Sequence, residues 1–171
     1  IYRDARVAQP SVSRSYLAAE RDAGAQETAA ALTVLAEILG GGQTSVLSEK
    51  LQFETQTAIY TGAFYSGVSM DDTTFDFVVV PAEGISLEAA EAALDKVIAE
   101  FLTTGVDGAQ LERIKMQIRA ADIYSRDDAE GLANRYGEAL ATSLTIKDVE
   151  EWPAVLAAVT PEDVKAAAAE V

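Results

Sequence analysis

Cysteine and histidine are both absent from the 171 residues. Their absence removes the Ser-His-Asp and Cys-His pairs, any thiolate nucleophile, any disulfide framework, and the usual nitrogen and sulfur ligands of zinc, copper or haem. Transition-metal chemistry would have to come from another chain. Basic residues are scarce too, with 13 Lys and Arg against 28 Asp and Glu and a net charge of −15. DNA, RNA and anionic lipid need a clustered cationic face that releases counterions, and here the basic residues are scattered, so no nucleic-acid partner is expected. No apolar run approaches the roughly 20 residues that span a bilayer, and no signal peptide is visible, so no membrane insertion is expected. What is present is 49% apolar residues in a length that suits a single domain, 1–171. The first residue is Ile1 rather than methionine, which implies a removed leader or a piece of something longer.

Periodicity predicts the elements. Residues 2–9 and 11–18 read as strands separated by Pro10, which cannot donate a ladder hydrogen bond and so marks an edge or a break. In the second run Val12, Arg14 and Tyr16 alternate with Ser13, Ser15 and Leu17. A helical stripe of Ala25, Ala29, Leu32, Leu35 and Leu39 covers 25–39, and Gly40, Gly41 and Gly42 stop it. A short helix is expected at 45–53, with Val46, Leu47 and Leu51 on one face, then strands at 57–66 and 73–80 joined by a hairpin turn at 67–72. Phe75, Phe77 and Val79 lie on one side of the second strand, Val78 and Val80 on the other.

The rest reads as helices. Ser86 is an N-cap ahead of Leu87, Ala90, Leu94, Val97 and Phe101, with an end near Gly105. Asp107 caps a helix whose apolar face is Leu111, Ile114, Ile118 and Ala121. After a polar break at 125–128 come a helix with Leu132, Ala133, Tyr136 and Leu140, and another from about Ile146 that Pro153 should end or kink. Thr160-Pro161-Glu162-Asp163 reads as a cap, an N1 proline and an acidic first turn. The order implies an α+β fold, an antiparallel or mixed sheet with helices packed on one face.

Few residues propose chemistry. The run Gly40-Gly41-Gly42-Gln43-Thr44-Ser45 follows a helix and lacks the Lys of a phosphate loop, so a helix C-cap and tight turn is favoured over an anion site. The doublets Asp71-Asp72 and Asp127-Asp128 lack the spacing of a calcium loop, and with so many carboxylates such pairs arise by chance. The single Trp152 is expected in the core or at its rim. Residue by residue, no active site emerges.

The order of several segments does carry a resemblance. Val7-Ala8-Gln9-Pro10 followed by 11–16, the helix ending Val34-Leu35-Ala36-Glu37-Ile38-Leu39 before the three glycines, and Thr44-Ser45-Val46-Leu47 with Leu51 and 54–58 come first. Leu111-Glu112-Arg113-Ile114-Lys115, the segment from Ile123-Tyr124 to Ala133, and Trp152 through Val159-Thr160-Pro161-Glu162-Asp163-Val164 follow. Together they resemble the C-terminal, non-catalytic half of insulinase/pitrilysin-type zinc metallopeptidases, similar to bacterial processing-peptidase-like proteins.

The resemblance implies one half of a metallopeptidase clamshell, LuxS/processing-peptidase-like in fold. Zinc and the H-x-x-E-H motif would belong to a catalytic half or subunit outside this chain, since no histidine is present. This half would close the chamber and hold extended peptide substrate, or, alternatively, serve as a structural or assembly subunit without a proteolytic role. A free-standing binding module for extended peptides is a weaker alternative. The family's Arg and, seven positions on, its Tyr match Gln52 and Ile59 here, with Tyr60 one residue further. Gln52 and Tyr60 are therefore the candidate substrate-binding residues, although a one-residue offset turns a strand side chain to the opposite face. Exposed edge-strand backbone is a second way to bind peptide. The resemblance points to the periplasm or cell envelope, with the cytoplasm as the alternative compartment.

Overall fold

A computed structural model of the chain describes residues 4, 6 and 9–171. The expected strand at 2–9 falls largely outside the described residues. Three strands, β1 (Val12–Ala18), β2 (Ala58–Tyr65) and β3 (Thr73–Pro81), form one sheet in the order β1-β3-β2, with both pairings antiparallel. Pro10 precedes β1, which is an edge strand among the described residues. Alternation sets the faces: Phe75, Phe77 and Val79 are buried towards the helices, while Val78 and Val80 lie on the outer side. Arg14, on the inner side of β1, reaches across to ion-pair with Glu91 and Asp95.

Six α-helices are described: α1 (Glu27–Gly40), α2 (Leu87–Thr104), α3 (Gly108–Ser125), α4 (Ala129–Ala141), α5 (Ile146–Ala158) and α6 (Pro161–Glu170). Helices α1 and α2 pack on the sheet, and α3, α5 and α6 pack on α1. Sandwiched in this way, α1 is buried almost all round rather than along one stripe, with Ala30, Ala31, Val34 and Ile38 enclosed as fully as Leu32 and Leu35. Its C-terminal end sits directly on β2, because a Cβ at Gly40 would collide with the Ala63 backbone nitrogen.

The expected caps are in place. Ser86 accepts from the Ala89 N–H at 3.1 Å, Asp107 from Gln110 at 2.9 Å, and Thr160 and Asp163 form a reciprocal capping box. Two expectations need correction. Helix α5 runs on through Pro153. Burial of Val149 and Leu156 on either side of the proline offsets its interior cost, about 3 kcal/mol. Ala121 is exposed, because α3 leaves the core beyond Ile118, with Leu111 and Ile114 buried and Ile118 packed against them at the edge.

Candidate functional site

The segment expected as a short helix at 45–53 is a π-helical turn, Ser48–Glu54, packed against β2. The Thr55 N–H reaches back five residues to the Lys50 carbonyl at 3.1 Å. This wide turn carries Gln52 over the start of β2. With its amide oxygen turned towards the donors, Gln52 accepts from Ser48 Oγ at 3.0 Å, Thr61 Oγ1 at 2.8 Å and the Thr61 N–H at 3.2 Å, and its nitrogen donates to the Ile59 carbonyl at 3.3 Å. Ser45, Ser48 and Thr61 are buried beside it, with Ser45 Oγ 3.1 Å from Ser48 Oγ and Ser48 Oγ 3.3 Å from Thr61 Oγ1. Hydroxyls and one amide thus satisfy each other where the turn meets the strand.

Ile59, whose carbonyl Gln52 holds, is the extra residue of a β-bulge. The pairing steps from Ala58↔Pro81 to Tyr60↔Val80, two residues on β2 against one on β3. Strict alternation would place Ile59 and Tyr60 on opposite faces, yet both are open to solvent, 55% and 48% exposed. Beyond the bulge the alternation resumes, and Tyr60, Gly62 and Phe64 share the outer face of the sheet. A Cβ at Gly62 would lie 2.7 Å from the Phe64 ring and 3.2 Å from Tyr60 Oη, so the missing side chain lets these two aromatics close over the strand. Gln52 and Tyr60 are brought to the same end of β2, the first turned inward to the hydroxyl cluster and the second outward. The combination offers an apolar, aromatic surface on a strand at the edge of the described sheet.

The glycine run is a cap. The Gly41 N–H donates to the Glu37 carbonyl and the Gly42 N–H to Gly40, both at 2.9 Å, so these backbone donors are committed within the turn. Asp71 and Asp72 are exposed in the β2–β3 connection, and Asp128 caps α4 by accepting from the Gly131 N–H at 3.0 Å. Among the described residues no cluster of carboxylates is arranged to hold a metal ion. With His and Cys also absent, the donor set does not fit zinc.

A polar knot elsewhere carried no sequence signal as a whole. Arg21, only 6% exposed, donates from Nε to Gln26 Oε1 at 2.5 Å and from Nη2 to the Asp148 carbonyl at 2.7 Å, and its guanidinium lies 3.9 Å from the centroid of the Trp152 ring. Asp148, 4% exposed, accepts from the Thr145 N–H at 2.8 Å and the Gly24 N–H at 2.9 Å. Hydrogen bonds from the Thr145 hydroxyl and backbone, then from Gly24, hold the Asp148 carboxyl below its ordinary value. Burial lowers the Arg21 guanidinium from its ordinary value, with Asp148 acting in the opposite sense. The spacing Thr145-x-x-Asp148 is a readable capping-box signature, but nothing local joins it to Arg21.

The family model described as the peptidase M16 inactive domain matches residues 2–118. A protease from Helicobacter pylori shares the fold with a TM-score of 0.84 at 19% identity, over 94% of this chain and 37% of that one. The peptidase M16 inactive domain from Pseudomonas fluorescens gives 0.75 at 21% identity, over 92% and 36%. The periplasmic protease PqqL from Escherichia coli gives 0.67 at 16% identity, over 94% and 17%. The chain therefore spans little more than a third of the first two structures and a smaller share of the third. A search of curated proteins gives no match.

Proposed function

The chain belongs to the peptidase M16 family as its inactive domain, and from that premise we propose that it is the non-catalytic half of a zinc-dependent metallopeptidase, closing the substrate chamber and holding extended peptide. The observation that carries this reading is the inactive-domain match over residues 2–118, in a chain without His or Cys. Zinc and the hydrolytic residues belong to the catalytic half, as part of the same polypeptide or as a separate subunit. This chain's own contribution is binding. Tyr60 contacts the peptide from the outer face of β2, with Ile59 and Phe64 beside it, and Gln52 sets that surface by holding the Ile59 carbonyl at the bulge. The β2 edge of the sheet, unpaired among the described residues, supplies backbone donors and acceptors for an extended strand. No helix among the described residues is long and apolar enough to cross a membrane. The periplasm or cell envelope is the proposed location, supported by the fold shared with a periplasmic protease.

The test begins with the residues encoded immediately upstream of Ile1 and in the neighbouring reading frame. An H-x-x-E-H segment is expected there, and sedimentation of the two parts together should give one complex. Absence of the motif from both places, or two parts that sediment independently at micromolar concentration, would overturn the proposal in favour of a structural subunit.

A further inference from the structure

Helix α3 carries apolar side chains on two sides. One side faces the core, with Leu111 and Ile114 buried and Ile118 packed at the edge. The other holds Met116, Ala120, Ile123 and Tyr124, which a step of about 100° per residue brings into one stripe opposite the first. Three of the four stand open to solvent, Met116 at 71%, Ile123 at 54% and Tyr124 at 79% exposed. The neighbouring helices are held on other sides of α3. Arg135 of α4 donates to Asp122 and Ser125 at 2.9 and 2.6 Å, and Lys115 Nζ donates to the carbonyl of Val159, the C-cap of α5, at 3.0 Å. Isolated exposed apolar residues are ordinary, whereas a contiguous row marks a contact surface.

Opposite charges bound the stripe symmetrically. Arg113 lies seven residues before Ala120 and Asp127 seven residues after it, in the turn where the Asp127 N–H reaches the Tyr124 carbonyl at 3.4 Å. Both side chains are exposed, and neither makes an ion pair or a hydrogen bond among the described residues. Met116 and Tyr124 stand four residues either side of the same alanine. Reversed end to end, the row is therefore its own complement: the cation meets the anion, the apolar positions meet each other, and the smallest side chain sits at the centre.

We infer that α3 pairs with α3 of a second copy of this chain, antiparallel about a two-fold axis at Ala120, with Arg113 of each copy facing Asp127 of the other and Met116 facing Tyr124. Parallel pairing would set Arg113 on Arg113 and Asp127 on Asp127, so charge selects the antiparallel form. Alanine at the axis lets the two helices close to about 8 Å, the near end of the usual range. A thioether against an aromatic ring is a favourable contact. One helix pair buries less than the roughly 1,600 Å² of a standard interface, and two chains of net charge −15 repel one another. The dimer is accordingly weak, with Kd on the order of 10–100 µM.

Sedimentation equilibrium of the purified chain at physiological salt, from about 5 to 500 µM, should show a reversible monomer and dimer. Tyr124→Asp, at an exposed position, should abolish the dimer. Arg113→Asp and Asp127→Arg should each weaken it about tenfold, because either change breaks two symmetry-related ion pairs and sets like charges together. The two changes combined should restore the original affinity to within about threefold. Lys165→Asp, at an exposed position on α6, alters the net charge as much as Arg113→Asp does and should change affinity by less than about twofold. Asp127→Arg brings the net charge nearer zero, so a weaker dimer there would not come from overall repulsion. A chain monomeric throughout, a dimer indifferent to Tyr124→Asp or to the single reversals, or reversals that the double variant does not rescue would overturn the proposal. So would a monomeric chain whose complex with an H-x-x-E-H half is lost in Tyr124→Asp, which would assign the stripe to that half.

Discussion

At Gly40 a side chain has nowhere to go: α1 meets β2 so closely that a Cβ would strike the Ala63 backbone. Gly40→Ala should therefore lower stability by about 2 kcal/mol or more, read as a lower urea midpoint at unchanged m-value. Gly137, inside α4 with open space around its Cβ position, makes the contrast, because there the change to Ala should raise stability by up to about 1 kcal/mol. Asp148 gives a prediction in pH. Its folded carboxyl titrates below the ordinary 3.8, so the stability it contributes is complete above that value and is lost as pH falls through the lower, folded one. Melting temperature followed downward from pH 7 should hold steady and then fall below about pH 4. In Asp148→Asn it should start lower and fall less steeply. An unchanged acid limb in that variant would remove Asp148 from the account. Single residues were legible where the reason was local, as with Ser86, Asp107 and Thr160. They were not legible where partners are distant in sequence, as with Arg21 and the Asp148 carbonyl.

Helices and strands owe their positions to patterns of a few residues, which is why most were readable from the chain. The capping box at Thr160 and Asp163 starts α6, and Thr160→Ala should cost about 1 kcal/mol in chemical denaturation. Phe75 on β3 is fully enclosed, with its ring centroid 5.2 Å from Phe77, and Phe75→Ala should cost about 3–5 kcal/mol. What periodicity did not reveal were the departures from periodicity. The bulge at Ile59 inserts one residue into β2 and leaves Ile59 and Tyr60 both exposed, so strand alternation is interrupted at that one place. Proline in α5 and the exposure of α3 beyond Ile118 depend on which helix lies alongside, and that information resides in the tertiary packing rather than in the segment.

Among the described residues the molecule is a three-stranded sheet covered on one side by helices, with an aromatic outer face at Tyr60 and Phe64 and a sequence without His or Cys. The class of the fold followed from the order of elements. The peptide-facing candidate followed only from resemblance, because Gln52 and Tyr60 are ordinary residues until the π-turn and the bulge bring them to one end of β2. On the proposed role, the chain should matter to substrate binding more than to bond cleavage. Tyr60→Ala in the assembled enzyme should raise KM by about tenfold while changing kcat little. The proposed division of labour is tested by hydrolysis of an internally quenched peptide by three samples: this chain alone, the H-x-x-E-H half alone, and the two together, each with zinc. No cleavage by this chain alone is expected, with a rate for the combination well above that of the catalytic half. Metal-dependent cleavage by this chain alone, or a catalytic half whose activity is unaffected by its presence, would contradict it.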